Sequence, residues 1–90
     1  MSDRYRCSVD ALARRVGAEV VVVDLGTDRI HALNSTGGRL WELLIDQQAS
    51  TAEAIDRLMH EFDVSQETAT AEVARFTDVL VGEGLVVADV

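Results

Sequence analysis

Apolar residues follow two different rhythms along this chain: short β-branched runs as far as residue 33, then recurrences at helical spacing from residue 40 onward. After a polar lead, residues 12–16 read as a short strand, and Gly17 offers a turn. Residues 19–25 contain Val20, Val21, Val22 and Val23, a wholly β-branched run that favours strand over helix. Leu25, Gly26, Thr27 and Asp28 make a Gly-containing connection into a third strand over residues 29–33, so the second and third strands read as a hairpin. A three-strand meander leaves two edges, and if strand order follows chain order one of them belongs to the third strand.

From Asn34 the period changes. Leu40, Trp41, Leu43, Leu44 and Ile45 cluster as a buried helical face would, behind Asn34 or Ser35 as N-cap. Gly37 and Gly38 weaken that helix's first turn but permit another backbone to approach closely. Ser50 and Glu53 form a capping box for a second helix whose apolar face is Ile55, Leu58, Met59 and Phe62. Ser65 caps a third helix, with Glu67 in the first turn where the macrodipole favours an anion. Ala69, Val73, Phe76 and Leu80 run down its inner face, and Gly82 and Gly84 end it. Residues 85–87 then either add a short closing strand or pack back on the helices.

With no proline, no low-complexity run and no repeat, nothing marks a linker. We expect a flexible N-terminal segment over residues 1–10 and a single domain over 11–90. Three strands followed by three amphipathic helices, the last two tightly joined, predict an α+β domain of winged helix-turn-helix character: a three-stranded antiparallel sheet followed by three helices.

At 90 residues and 48% apolar the chain can build a core, though with a small stability margin. Its formal net charge of −8 repels phosphate backbones and argues against a nucleic-acid partner. Every basic residue is arginine, in keeping with a GC-rich bacterial coding sequence, and Arg4, Arg6, Arg14 and Arg15 gather near the start. The opening residues lack the apolar stretch of a signal peptide, and Val20 to Val23, bounded by Glu19 and Asp24, is far too short to span a bilayer. The expected location is the cytoplasm, with no membrane partner.

Candidate chemistry is sparse. Cys7 is the only cysteine, so neither an internal disulfide nor a thiolate zinc site can form. His31 and His60 have no third ligand at a metal spacing, and Asp24, Gly26 and Asp28 lack the glutamate that would complete a calcium loop. Gly37 and Gly38 do not match a phosphate loop, and no nucleophile can be paired with a base. We therefore expect no enzyme activity, no cofactor and no metal.

The order of motifs is more telling than any one of them. Ala32-Leu33-Asn34 is followed by Gly38-Arg39-Leu40-Trp41-Glu42-Leu43-Leu44, then Thr51-Ala52-Glu53 leading to Phe62-Asp63-Val64, then Glu72-Val73, Phe76, Leu80 and Gly84-Leu85-Val86. Over roughly residues 18–88 this series resembles the PqqD-like family, the peptide recognition elements of ribosomal natural-product pathways. The resemblance implies a non-catalytic protein that captures the leader of a precursor peptide as an added strand, in a groove between the third strand and the third helix. Residues 24–28 stand where the cofactor-pathway members carry a "PEG"-like turn, and the proline-rich opening is missing. The chain is thus more similar to the stand-alone recognition proteins of lasso-peptide biosynthesis, which serve a separate leader peptidase and a cyclase.

An edge strand offers unpaired N–H and C=O groups to any extended chain, so selectivity must come from side chains. The candidates are Arg29, Ile30, His31, Ala32 and Leu33 on the third strand, and Glu72, Arg75, Phe76, Val79, Leu80 and Glu83 on the third helix. Phe76 and Leu80 also belong to the core stripe, whereas Val79 lies beside it and is placed to meet an apolar anchor. Glu72, Arg75 and Glu83 would set charge preference at the rim. The competing readings are a winged-helix DNA-binding regulator, opposed by the acidic third helix, and a generic protein-interaction module.

Overall fold

The computed structural model describes residues 4–17 and 19–88. Strands β1 (Tyr5–Cys7), β2 (Ala11–Val16), β3 (Glu19–Asp24) and β4 (Arg29–Leu33) come first. Helix α1 (Ser35–Trp41) continues into a π-helical turn over Glu42–Asp46, and α2 (Thr51–Phe62), α3 (Gln66–Gly82) and β5 (Val86–Ala88) complete the chain.

The expected meander is present as an antiparallel sheet of order β2-β3-β4, so β2 and β4 are its edges. Its register pairs Ala13 with Val22 and Val22 with His31, and Arg15 with Val20 and Val20 with Leu33. Directly opposed residues share a face. Val20 and Val22 are buried, at 4% and 0% exposure, which makes theirs the helix-covered face. Leu12, Val16 and Ile30 occupy the other face and remain exposed.

Of the segment expected to be flexible, residues 1–3 lie outside the described residues, while residues 5–7 differ from the expectation. Tyr5–Cys7 forms a strand antiparallel to β5, with Tyr5 opposite Ala88. What makes this pairing possible is the end of α3: Gly84, at φ +74, reverses the chain while its N–H donates to the Val81 carbonyl and the Leu85 N–H donates to the Leu80 carbonyl. That is a Schellman stop, and Leu85 packs into the same buried cluster as Leu80. The closing residues thus do both things the sequence allowed, pairing as a strand and filling the core.

Two buried clusters share Phe76 and Ile45 at their borders. One joins the sheet to α3 through Val20, Val22, Trp41, Leu80, Leu85 and Val86; the other joins the helices through Leu40, Leu44, Ala54, Leu58, Ala69 and Val73. Asn34 is the N-cap of α1, its side chain accepting from the Gly37 N–H at 2.8 Å. A Cβ at Gly38 would stand 3.3 Å from Val20 Cγ2, so the glycine lets α1 lie against β3. The Ser50 and Glu53 capping box is complete, with Ser50 N–H donating to Glu53 at 3.0 Å and Glu53 N–H to Ser50 at 3.2 Å.

Candidate functional site

An open cleft of about 740 Å³ runs between the end of β4 and the helices. Each wall follows from local sequence. Leu33 and Asn34 bring in the sheet edge, and Gly37 keeps α1 thin there, since a Cβ at that position would meet Asn34 Oδ1 at 3.2 Å and Phe76 Cε1 at 3.5 Å. Leu40 and Leu58 form the floor. Phe62 and Val64 border the end where α2 turns into α3, and Thr68, Glu72, Arg75, Phe76, Val79 and Leu80 line the length of α3. The α2 wall is held by Arg39, whose Nε and Nη2 both donate to the Glu61 carboxylate at 2.7 Å while Nη1 donates to Glu42 at 2.6 Å. Those hydrogen bonds from Arg39 hold the Glu61 carboxyl below the usual carboxylate range.

Seven of the eleven predicted site residues border this cleft: Ala32, Leu33, Glu72, Arg75, Phe76, Val79 and Leu80. Val79 is 53% exposed although apolar, while Leu80 is buried and Phe76 half-buried, so of the three it is Val79 that presents most of its side chain to an incoming molecule. The other four predicted residues do not line the cleft. Strand alternation divides the β4 set, with Arg29, His31 and Leu33 on the helix-covered face and Ile30 and Ala32 on the open one. Ile30 is 69% exposed and points away from the helices. Ala32 shares that orientation, which leaves its backbone to face the cleft. Arg29 reaches Glu83 beyond the end of α3, at 3.7 Å. His31 is half-buried, and its Nε2 has neither solvent contact nor a hydrogen-bond partner.

Sequence reading missed the helical floor and far end: Asn34, Thr36, Gly37, Leu40, Leu58, Phe62, Val64 and Thr68. One signal was available. Phe62 lies at the last position of the α2 stripe, where a core face runs past the elements it can cover, and it stays 40% exposed. Leu58 is both core, at 2% exposure, and cleft floor.

Chemically the cleft offers an apolar trough, a backbone edge and a rim of mixed charge. Glu72 and Arg75 stand one turn apart on that rim. Among the described residues no group of three or more His, Cys, Asp or Glu could hold a metal ion. His60 is exposed on α2 and donates through Nδ1 to the Asp56 carbonyl at 2.8 Å. Burial, reinforced by Asp46, pushes the Cys7 thiol up from its ordinary pKa, away from nucleophilic character. No helix among the described residues is long and apolar enough to cross a membrane.

The family model for coenzyme PQQ synthesis protein D (PqqD) matches residues 19–86, three quarters of the chain and every element that builds the cleft. The chain belongs to the PqqD family. Among solved structures it is similar to TbiB1 in complex with the TbiA(beta) leader peptide, with a TM-score of 0.85 and 26% identity over 93% of this chain and 99% of that one. A lasso peptide synthetase B1 complexed with the leader peptide shares the fold, with a TM-score of 0.86 at 20% identity over 93% of this chain and 98% of that one. No curated protein matches the sequence. In this PqqD-family chain the sheet edge, α1 and α3 that carry the motifs of the resemblance are the elements that surround the cleft.

Proposed function

We propose that this protein binds the leader segment of a ribosomally made precursor peptide, which adds as a strand to the free edge of β4 and sends side chains into the cleft against α3. The observation that carries this reading is the coincidence of an unpaired sheet edge with an apolar trough directly beside it. Both similar structures, TbiB1 and the lasso peptide synthetase B1, are described as leader-peptide complexes, which supports the same role in lasso-peptide biosynthesis here. The protein then presents the leader to a leader peptidase or another modifying enzyme of its cluster, working in the cytoplasm without chemistry of its own.

The trough's length bounds the bound segment. From Thr68 to Val79 the helix rises about 16 Å, which about five residues of extended peptide match. Edge pairing supplies affinity and two or three side-chain anchors supply selectivity, giving a micromolar or tighter complex, about −8 kcal/mol or better. Fluorescence polarisation with a labelled synthetic leader peptide of its own cluster and a scrambled version decides the matter. Preferential binding of the leader is expected, and equal binding of both sequences would refute specific capture.

A DNA-binding regulator is disfavoured by charge. Helix α3 carries Glu67, Glu72 and Asp78 against Arg75 alone, with Glu83 just beyond it.

A further inference from the structure

His31 is the one residue among those described with a buried side-chain polar atom that lacks a hydrogen-bond partner. Buried polar atoms are nearly always paired, and an orphan carries the full cost of its lost water. A leucine or phenylalanine at this position would fill the same space with no such cost. The surroundings point to a use. His31 lies opposite Val22 on the helix-covered face of β4, between Arg29 and Leu33 on that face. Leu33 borders the cleft, while Arg29 spans to Glu83 at 3.7 Å and ties the strand to the end of α3. Along that face His31 therefore lies between Arg29, which pairs with Glu83, and Leu33, which borders the cleft, on the edge where a peptide would add.

We infer that His31 is a specificity-determining residue of the peptide site, its Nε2 hydrogen-bonding a hydroxyl- or amide-bearing side chain of the bound peptide. The inference rests on the strand-addition reading above. An added strand keeps the alternation of its neighbour, so the peptide residue beside His31 and the one beside Leu33 face α3 together, two positions apart. The first is polar and read by Nε2; the second is the apolar anchor that meets Val79. The nitrogen has no solvent contact in the free protein, so seating the peptide must shift the side chains around it, and the bond then formed is available only to a peptide with the polar group in register.

The test uses the full chain and a fluorescein-labelled synthetic leader peptide of its own cluster. His31→Phe is expected to melt at or above the wild-type temperature yet to bind the leader at least fivefold more weakly, and His31→Gln, which keeps a hydrogen-bonding amide, to recover part of that loss. In wild-type protein labelled with ¹⁵N-histidine, the Nε2 resonance of His31 should move when unlabelled leader is added, a readout that does not depend on any variant folding. Wild-type affinity in His31→Phe, or an Nε2 resonance unchanged at saturating leader, overturns the inference while leaving leader capture standing. If the wild-type protein itself does not distinguish leader from scrambled peptide, the strand-addition reading fails and this inference with it.

Discussion

Replacing Val79 with arginine should separate peptide binding from folding. The side chain is 53% exposed, so about half of it is left for a ligand to cover. Complete burial of a valine is worth about 1.5–3 kcal/mol, and the uncovered half therefore contributes about 1 kcal/mol to docking. Arginine forfeits that contribution and sets a hydrated guanidinium where the peptide's apolar anchor should rest, beside Phe76 and Leu80. Together these amount to at least about 1.4 kcal/mol, a tenfold or greater fall in affinity. Folding is affected differently: arginine has a better helix propensity than valine by a few tenths of a kcal/mol, offsetting the partial packing lost. Val79→Arg should therefore unfold within a few degrees of wild type while binding the leader at least tenfold more weakly, as read by calorimetry and fluorescence polarisation. The control is Leu44→Ala, at a 1% exposed core position that does not border the cleft. It should cost about 2–5 kcal/mol of stability and, below its melting temperature, bind the leader normally. Wild-type affinity in Val79→Arg would place the groove elsewhere, and its unfolding would show that Val79 is core.

Three further outcomes follow from the same structure. Glu53, whose carboxylate accepts from the Ser50 backbone N–H, and Glu61, held by Arg39, both have lowered pKa values. Their stabilisation is complete above the unfolded-state value near about 4.3 and is lost as pH falls through the folded values, so the thermal midpoint should fall between about pH 5 and pH 3, and less steeply in Glu61→Gln. A midpoint that stays level or rises on acidification contradicts this. Ser50→Ala opens the capping box of α2 and should cost about 1 kcal/mol in denaturant titration, with no loss indicating that the cap is replaced by water. Duplex DNA should not be retarded by the protein at about 150 mM salt, because the acidic α3 has too few cations to release counterions; a sequence-defined shift persisting there would restore the regulator reading.

What was legible in the sequence was whatever is encoded within a few residues. The β-branched run Val20 to Val23 favours a strand and forms one, and the Ser50 and Ser65 caps start helices where their spacing says they should. What was not legible depends on distant pairing. Tyr5–Cys7 carries no strand signal of its own and is a strand because β5, delivered by the Gly84 reversal, lies beside it. The π-helical turn over Glu42–Asp46, closed by the Gln47 N–H on the Glu42 carbonyl at 2.9 Å, is hidden because an apolar cluster fits an α-helix equally well. Thr77 is buried with its hydroxyl donating to the Val73 carbonyl at 3.1 Å, and a polar residue carries no local sign that its hydroxyl is satisfied by its own helix and so can join the buried stripe.

The candidate site divides in the same way. The α3 residues that line the cleft lie on or beside a stripe whose phase is fixed by Ala69 and Val73, so Phe76, Val79 and Leu80 could be placed from sequence. For β4 the alternation was legible but its sense was not. Only the register against Val20 and Val22 shows that His31 and Leu33 face the helices and Ile30 does not. The floor from Leu40 and Leu58 was invisible because a residue's being core does not say that a cleft opens above it.

The central claim, that a leader peptide pairs with the edge of β4, is tested most directly by hydrogen exchange at single-residue resolution over residues 29–33 and the β2 edge over 11–16. Amides of β4 that point away from β3 have no strand partner in the free protein and should exchange rapidly. Saturation with the leader should slow those amides at least tenfold while leaving the outward-pointing amides of β2 unchanged. Protection confined to β2, or none on β4 with leader demonstrably bound, would contradict strand addition at this edge.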